Sequence, residues 1–139
     1  MGLERCRLIE LPVVGNPQGN LVFGEGDSHV PFPIARVFYV YGIPVGAARG
    51  GHAHFELEEA VFCLAGSLEI AVDDGVGRHT YRLDDPRVGL YVPPMVWHDI
   101  GAFSEGTVYM GLTSTEFDEG DYIRDYEEYK TAARAVRSP

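Results

Sequence analysis

The chain has 139 residues, a formal charge of −10 and a pI near 4.8, with 45% hydrophobic and 23% charged residues. That is ordinary globular usage, enough for one domain around one core and unlike a disordered chain. A single lysine, Lys130, and no basic stripe argue against nucleic acid as a partner. No stretch approaches the roughly 18 apolar residues of a membrane span.

The N-terminus, MGLERCRLIE, alternates charged and apolar residues and does not read as a signal peptide, so a cytoplasmic protein is expected. Residues 1–26 carry a Gly- and Pro-bearing stretch, GNPQGNLVFGEG. It reads as a hairpin or as an arm exchanged with a neighbouring subunit. IARVFYVYG is rich in aromatic and β-branched residues and predicts a strand that ends at Gly42-Ile43-Pro44. EEAVFCLAGSLEIAVDDG predicts two strands meeting at Ala65-Gly66-Ser67, with Asp74-Gly75 supplying the next turn. RHTYRLDD alternates polar and apolar, and the stretch from Arg87 to Ser114 gives further strands broken at Pro93-Pro94 and Gly101. Short strands with turns this frequent predict an all-β fold, a sandwich or jelly-roll barrel in one domain over 1–139. In the last segment Tyr122, Ile123, Tyr126 and Tyr129 recur at helical spacing, with acidic residues early and Lys130, Arg134 and Arg137 late. This predicts a packing helix over 117–135. Cys6 and Cys63 make no disulfide framework, and Cys63 sits in an apolar strand pattern.

The stretch RGGHAHFELEE, Arg49–Glu59, concentrates the chemistry. In a strand, side chains alternate, so His52 and His54 point the same way. Gly50, Gly51 and Ala53 leave room for a ligand beside them. The order Gly46, five residues, His52-x-His54, four residues, Glu59, six residues, Gly66 resembles the first motif of the cupins. Pro93 followed by His98 resembles the second, with Met95 where a glycine is usual. His52, His54, Glu59 and His98 are a chemically suitable set for Fe, Mn, Ni or Zn. Spacing alone leaves open whether the histidines hold a metal or move a proton.

RVFYVY, RGGHAH, DDG, VGLYVPPMVWH and DEGDYIRDYEEYK occur in the order found in a narrower group. From about Gly19 to Lys130 the chain resembles the WxcM-like cupins that are sugar 3,4-ketoisomerases. The resemblance implies a cupin jelly-roll and isomerisation of TDP-4-keto-6-deoxyglucose to its 3-keto isomer through an enediol. It implies no metal and no cofactor, and a homodimer with exchanged N-terminal strands. Moved onto this sequence, it gives His52 as base and His54 as its proton partner or as a ligand for a sugar hydroxyl, with His98 lining the pocket. A base near neutral pKa suits a proton that must be taken and returned. Arg36 and Arg49 are expected to meet the diphosphate, and Tyr91 and Trp97 to wall the thymine ring. One position departs: Phe38 stands where the family places a tyrosine hydroxyl near the sugar, and Tyr39 beside it has the opposite strand parity. Three rivals are a 3,5-epimerase, a metal-dependent cupin using the four-residue set, and a non-catalytic binder of sugar nucleotides.

Overall fold

A computed structural model describes residues 2–137, so Met1, Ser138 and Pro139 of the expected domain and arm lie outside the described residues. In chain order the strands are β1 (Arg7–Glu10), β2 (Val13–Asn16), β3 (Gly19–Val22), β4 (Arg36–Val40), β5 (Arg49–His54), β6 (Glu59–Ala65) and β7 (Leu68–Asp73). They continue with β8 (Arg78–Leu83), β9 (Val88–Val92), β10 (Trp97–Gly101), β11 (Val108–Thr113) and β12 (Tyr122–Ile123), and helix α1 spans Tyr126–Arg137. The expected turns at Ala65–Ser67 and Asp74-Gly75 fall between β6 and β7 and between β7 and β8.

Two five-stranded antiparallel sheets face each other, in the orders β1-β9-β6-β11-β4 and β12-β5-β10-β7-β8, while β2 and β3 form a separate hairpin. The jelly-roll expectation holds. Strand alternation decides what lies between the sheets. Val61 and Cys63 of β6, Leu90 and Val92 of β9, Ile70 and Val72 of β7 and Ile100 of β10 all join one buried cluster. The residues between them turn outward yet stay buried. Ala60, Phe62 and Tyr91 pack under Ile9, Leu11, Val30 and Phe32 of the N-terminal segment, and Trp97 packs with Ala53, Ile123, Tyr129 and Ala133 beneath the helix. Burying each large apolar side chain contributes about 1.5–3 kcal/mol, so all three clusters matter to stability.

The C-terminal segment corrects the expected helix. It begins at Tyr126, not 117, because Asp125 caps it there by accepting a hydrogen bond from the Glu128 amide at 3.0 Å. Upstream, the Asp121 carboxylate accepts from the amides of Glu56 and Leu57 at 2.9 and 3.0 Å. That anchor draws Tyr122 and Ile123 into pairing with His54 and Ala53 as β12. The tyrosine spacing was real, but its first two members belong to a strand.

Among the described residues no helix is long and apolar enough to cross a membrane.

Candidate active site

At one end of the space between the sheets lies a cavity of about 490 Å³. Arg36 and Phe38 of β4, Arg49, Gly50 and His52 of β5, and Glu59 at the head of β6 line it. His98 and Ile100 of β10, Tyr109 of β11, and Phe117, Tyr122 and Arg124 of the C-terminal segment complete the wall.

Backbone geometry sets the histidines. Gly50 and Gly51 both take positive φ, 82° and 74°, which glycine adopts without the usual steric penalty. The β5–β10 register shifts beside them, between His98 and Asp99, and His52 comes opposite His98. The two rings meet edge to face at 4.6 Å between centroids, and His54 packs against His52 at 4.9 Å. The shared face expected for His52 and His54 is therefore present, but only His52 reaches the cavity. His54 is buried behind it, 3.7 Å from the Asp121 carboxylate, with Tyr122 at 4.3 Å. Among the described residues neither nitrogen of His54, nor Nδ1 of His52, nor Nε of Arg36 has a hydrogen-bond partner, although all are buried. Such atoms are costly in a core and ordinary where a polar ligand arrives.

Burial, followed by the neighbouring His98, pushes His52 down to about 4. His54 falls to about 3, chiefly through burial and then His52, and fully enclosed His98 falls to about 4 through burial. All three imidazoles are neutral at pH 7, the form that accepts a proton. Burial also raises the Glu59 carboxyl above its usual range, against the opposing pull of His52 and Arg36.

Three arginines give the mouth its positive charge. Arg36 lies over the Phe38 and Phe117 rings at 5.4 and 5.7 Å. Arg49 donates from Nε to the Tyr109 hydroxyl at 3.0 Å. Arg124 stacks on Tyr122 at 4.2 Å while pairing with Glu119 at 2.7 and 3.0 Å. Phe38 lies across Gly111, where any larger residue would collide with its ring.

Of the expected site residues, Arg36, Phe38, Arg49, His52 and His98 converge on the cavity. Three others lie off the cavity. Tyr39 points outward from β4 and is 65% exposed, as its parity requires. Tyr91 faces the outer cluster and donates to the Glu58 carboxylate at 2.6 Å. Trp97 turns toward Tyr126 and Tyr129, its indole donating to Asp99 at 3.1 Å. Neither Tyr91 nor Trp97 walls the pocket. Glu59, expected from the cupin motif and the metal set, and Tyr122, expected in the helix stripe, also line the cavity, as do Tyr109, Phe117 and Arg124, to which the sequence assigned no role. Alternation with Phe38 through the β4–β11 pairing would have pointed to Tyr109. Only the DEGDYIRDYEEYK resemblance marked the tail.

The four-residue metal set is not assembled, because the groups whose donor atoms lie within 4.8 Å of one another are His52, Glu59 and His98, without His54.

These features define a cupin-type barrel with a histidine- and arginine-lined site, and the comparisons carry the assignment to a family. Residues 4–134 match the family model described as FdtA: WxcM-like, C-terminal, and the chain belongs to that family. It is 41% identical over 124 residues, 89% of either chain, to a TDP-4-oxo-6-deoxy-alpha-D-glucose-3,4-oxoisomerase of Aneurinibacillus thermoaerophilus. Its fold matches that of a 3,4-ketoisomerase of Thermoanaerobacterium thermosaccharolyticum with a TM-score of 0.94 and 34% identity, over 99% of both chains. That structure is of a histidine-to-asparagine mutant in complex with TDP-4-keto-6-deoxyglucose. A TDP-quinovose 3,4-ketoisomerase of Campylobacter jejuni matches with a TM-score of 0.89 and 32% identity, over 93% of this chain and 99% of that one.

Proposed function

We propose that this protein is an isomerase that moves the ketone of TDP-4-keto-6-deoxyglucose from C4 to C3, working as a single-domain cytoplasmic homodimer with exchanged N-terminal strands. The observation that carries the reading is His52 at the wall of a cavity ringed by arginines, in a chain of this family. The C3 proton is acidic because it lies next to the C4 ketone. His52 takes it, an enediol forms, and the same imidazole returns a proton to C4. General-base catalysis of this kind contributes about 10²–10⁴-fold. His54 supports the ring of His52 from behind, and His98 from the neighbouring strand.

Arg36, Arg49 and Arg124 are assigned to the diphosphate, whose charge needs local cations in a protein of charge −10. Phe117, 58% exposed at the cavity mouth, takes the thymine-stacking role once given to Tyr91 and Trp97. Support for strand exchange comes from the β2–β3 hairpin, which among the described residues pairs only with itself and leaves Val14 and Leu21 58% and 60% exposed.

The test is a proton NMR time course in D₂O with chelator-treated protein and TDP-4-keto-6-deoxyglucose, alongside His52→Asn. The expected result is the 3-keto isomer carrying deuterium at C4, absent with the variant. Exchange at C5 with the ketone unmoved would make the protein an epimerase, and an unchanged spectrum would leave only binding. Light scattering at twice the monomer mass checks the dimer.

A further inference from the structure

Moving a ketone between adjacent carbons requires more than a carbon base. As the C3 proton leaves, O4 must gain a proton, and as C4 is reprotonated, O3 must lose one. Phe38 presents no hydroxyl for this, and His52 is occupied with the carbons. Yet the cavity contains a buried acid.

Glu59 opens β6 on the same face as Val61 and Cys63, so its side chain turns into the space between the sheets. It is 5% exposed and lines the cavity, with donor atoms of His52 and His98 within 4.8 Å of its carboxylate. The backbones beside it bring no rival acid, since its strand partners are Val92 and Thr113. The titratable and charged groups facing it are His52 from β5, His98 from β10, Arg36 from β4 and Tyr109 from β11. An ionised carboxylate pairing tightly with a cation would be the bland outcome, but among the described residues no hydrogen bond ties Glu59 to a cation: Arg36 leaves its Nε unpartnered, and Arg49 donates to Tyr109.

We propose that Glu59 is the acid–base group of the two sugar oxygens, relaying the proton between O4 and O3 that a hydroxyl at position 38 would otherwise carry. This rests on the isomerase reading and adds the residue that completes it. The carboxylic acid gives its proton to O4 while His52 takes the C3 proton, and the electron pair of the C–H bond becomes the C3–C4 double bond of the enediol. The resulting carboxylate then removes the proton from O3. The C3 carbonyl forms, the double-bond electrons take a proton from His52 at C4, and Glu59 and His52 both regain their starting states. No oxidant or reductant is needed. A carboxyl has two oxygens, so it can face both positions without turning. Burial favours its protonated form. The relay therefore works below the pKa of Glu59 and fails as pH rises through it.

The experiment compares the parent protein with Glu59→Gln and Glu59→Gln/Phe38→Tyr, all in chelator, measuring kcat, KM, TDP affinity and the pH profile. Glutamine keeps the shape and loses the acid. The expected result is a fall of about 100-fold or more in kcat, with KM and TDP affinity little changed. Phe38→Tyr in that background recovers at least tenfold. Parental kcat in Glu59→Gln overturns the proposal, as does a loss that follows TDP affinity. Loss of parental activity in chelator, restored by a divalent cation, also overturns it, because Glu59 would then be holding metal. Should Glu59→Gln be too unstable to assay, the parent decides: an activity profile without a basic limb overturns the relay. A parent that leaves the ketone at C4 removes the isomerase reading and this inference together. A parent that isomerises beside an equally fast Glu59→Gln removes this inference alone.

Discussion

The two ends of the space between the sheets are built from the same strands to opposite rules. At one end β6 and β9 present Val61, Cys63, Leu90 and Val92 to Leu68, Ile70 and Val72 in one buried apolar cluster. At the other, the head of β6 and the facing strands present Glu59, His52 and His98, with Arg36 beside them and several buried nitrogens unpartnered. The apolar end supplies the stability that lets the polar end remain under-satisfied. Substitutions at the two ends should accordingly fail in different measurements.

The sharpest separation comes from His52→Asn. It should lower kcat by about 10³-fold, within the range for a general base, while the thermal midpoint stays within a few degrees of the parent. A large drop in midpoint would mean that the histidine end also carries the fold. The converse is Leu90→Ala, fully buried at the apolar end. It should cost about 2–5 kcal/mol in denaturant unfolding and leave the KM of the folded fraction unchanged.

Acid should expose the polar end first. His52, His54 and His98 sit at about 4, 3 and 4 when folded and near 6.5 when unfolded. The unfolded chain thus binds more protons below pH 6.5. Their contribution is fully present above that value and is lost as pH falls toward 4, at up to about 1.4 kcal/mol per pH unit for each group. A thermal midpoint that is flat from pH 7 to 4.5 would contradict this. The smallest effect belongs to Tyr91→Phe, which removes the hydrogen bond to Glu58. About 1.5–3 kcal/mol of stability is expected to go, with no change in TDP affinity. A weakened affinity would return Tyr91 to the ligand wall and blur the contrast between inner and outer faces.

How far the sequence could be read follows from the same contrast. His52 and His54 were legible because short alternation around two glycines leaves one face for both. Tyr39 was legible because β4 has one buried and one open face, so parity alone sent it outward. Tyr91 and Trp97 were not, because β9 and the start of β10 are buried on both sides. Where every residue is apolar, a period of two leaves no trace of which side is the interior. The helix start was misread because tyrosine spacing speaks for a helix, whereas the Asp121 and Asp125 side chains that divert the segment act across 60 and more residues or through one cap. Met95 illustrates a third limit. It occupies the glycine position of the second cupin motif with φ at 64°, held there by its amide to the His54 carbonyl at 2.8 Å and its carbonyl to the Tyr129 hydroxyl at 2.9 Å. Tertiary bonds make a conformation tolerable that local preference disfavours.

The pairing of β12 with β5 also guards an edge. His54 finds its strand partner at Tyr122, and the cavity wall is finished by Arg124. Without Tyr122 and Ile123, β5 would border its sheet with its backbone open to pairing with another chain. The segment that encloses the histidines is thus also a barrier to misassembly, and a variant that loosens it should aggregate more readily as well as turn over more slowly.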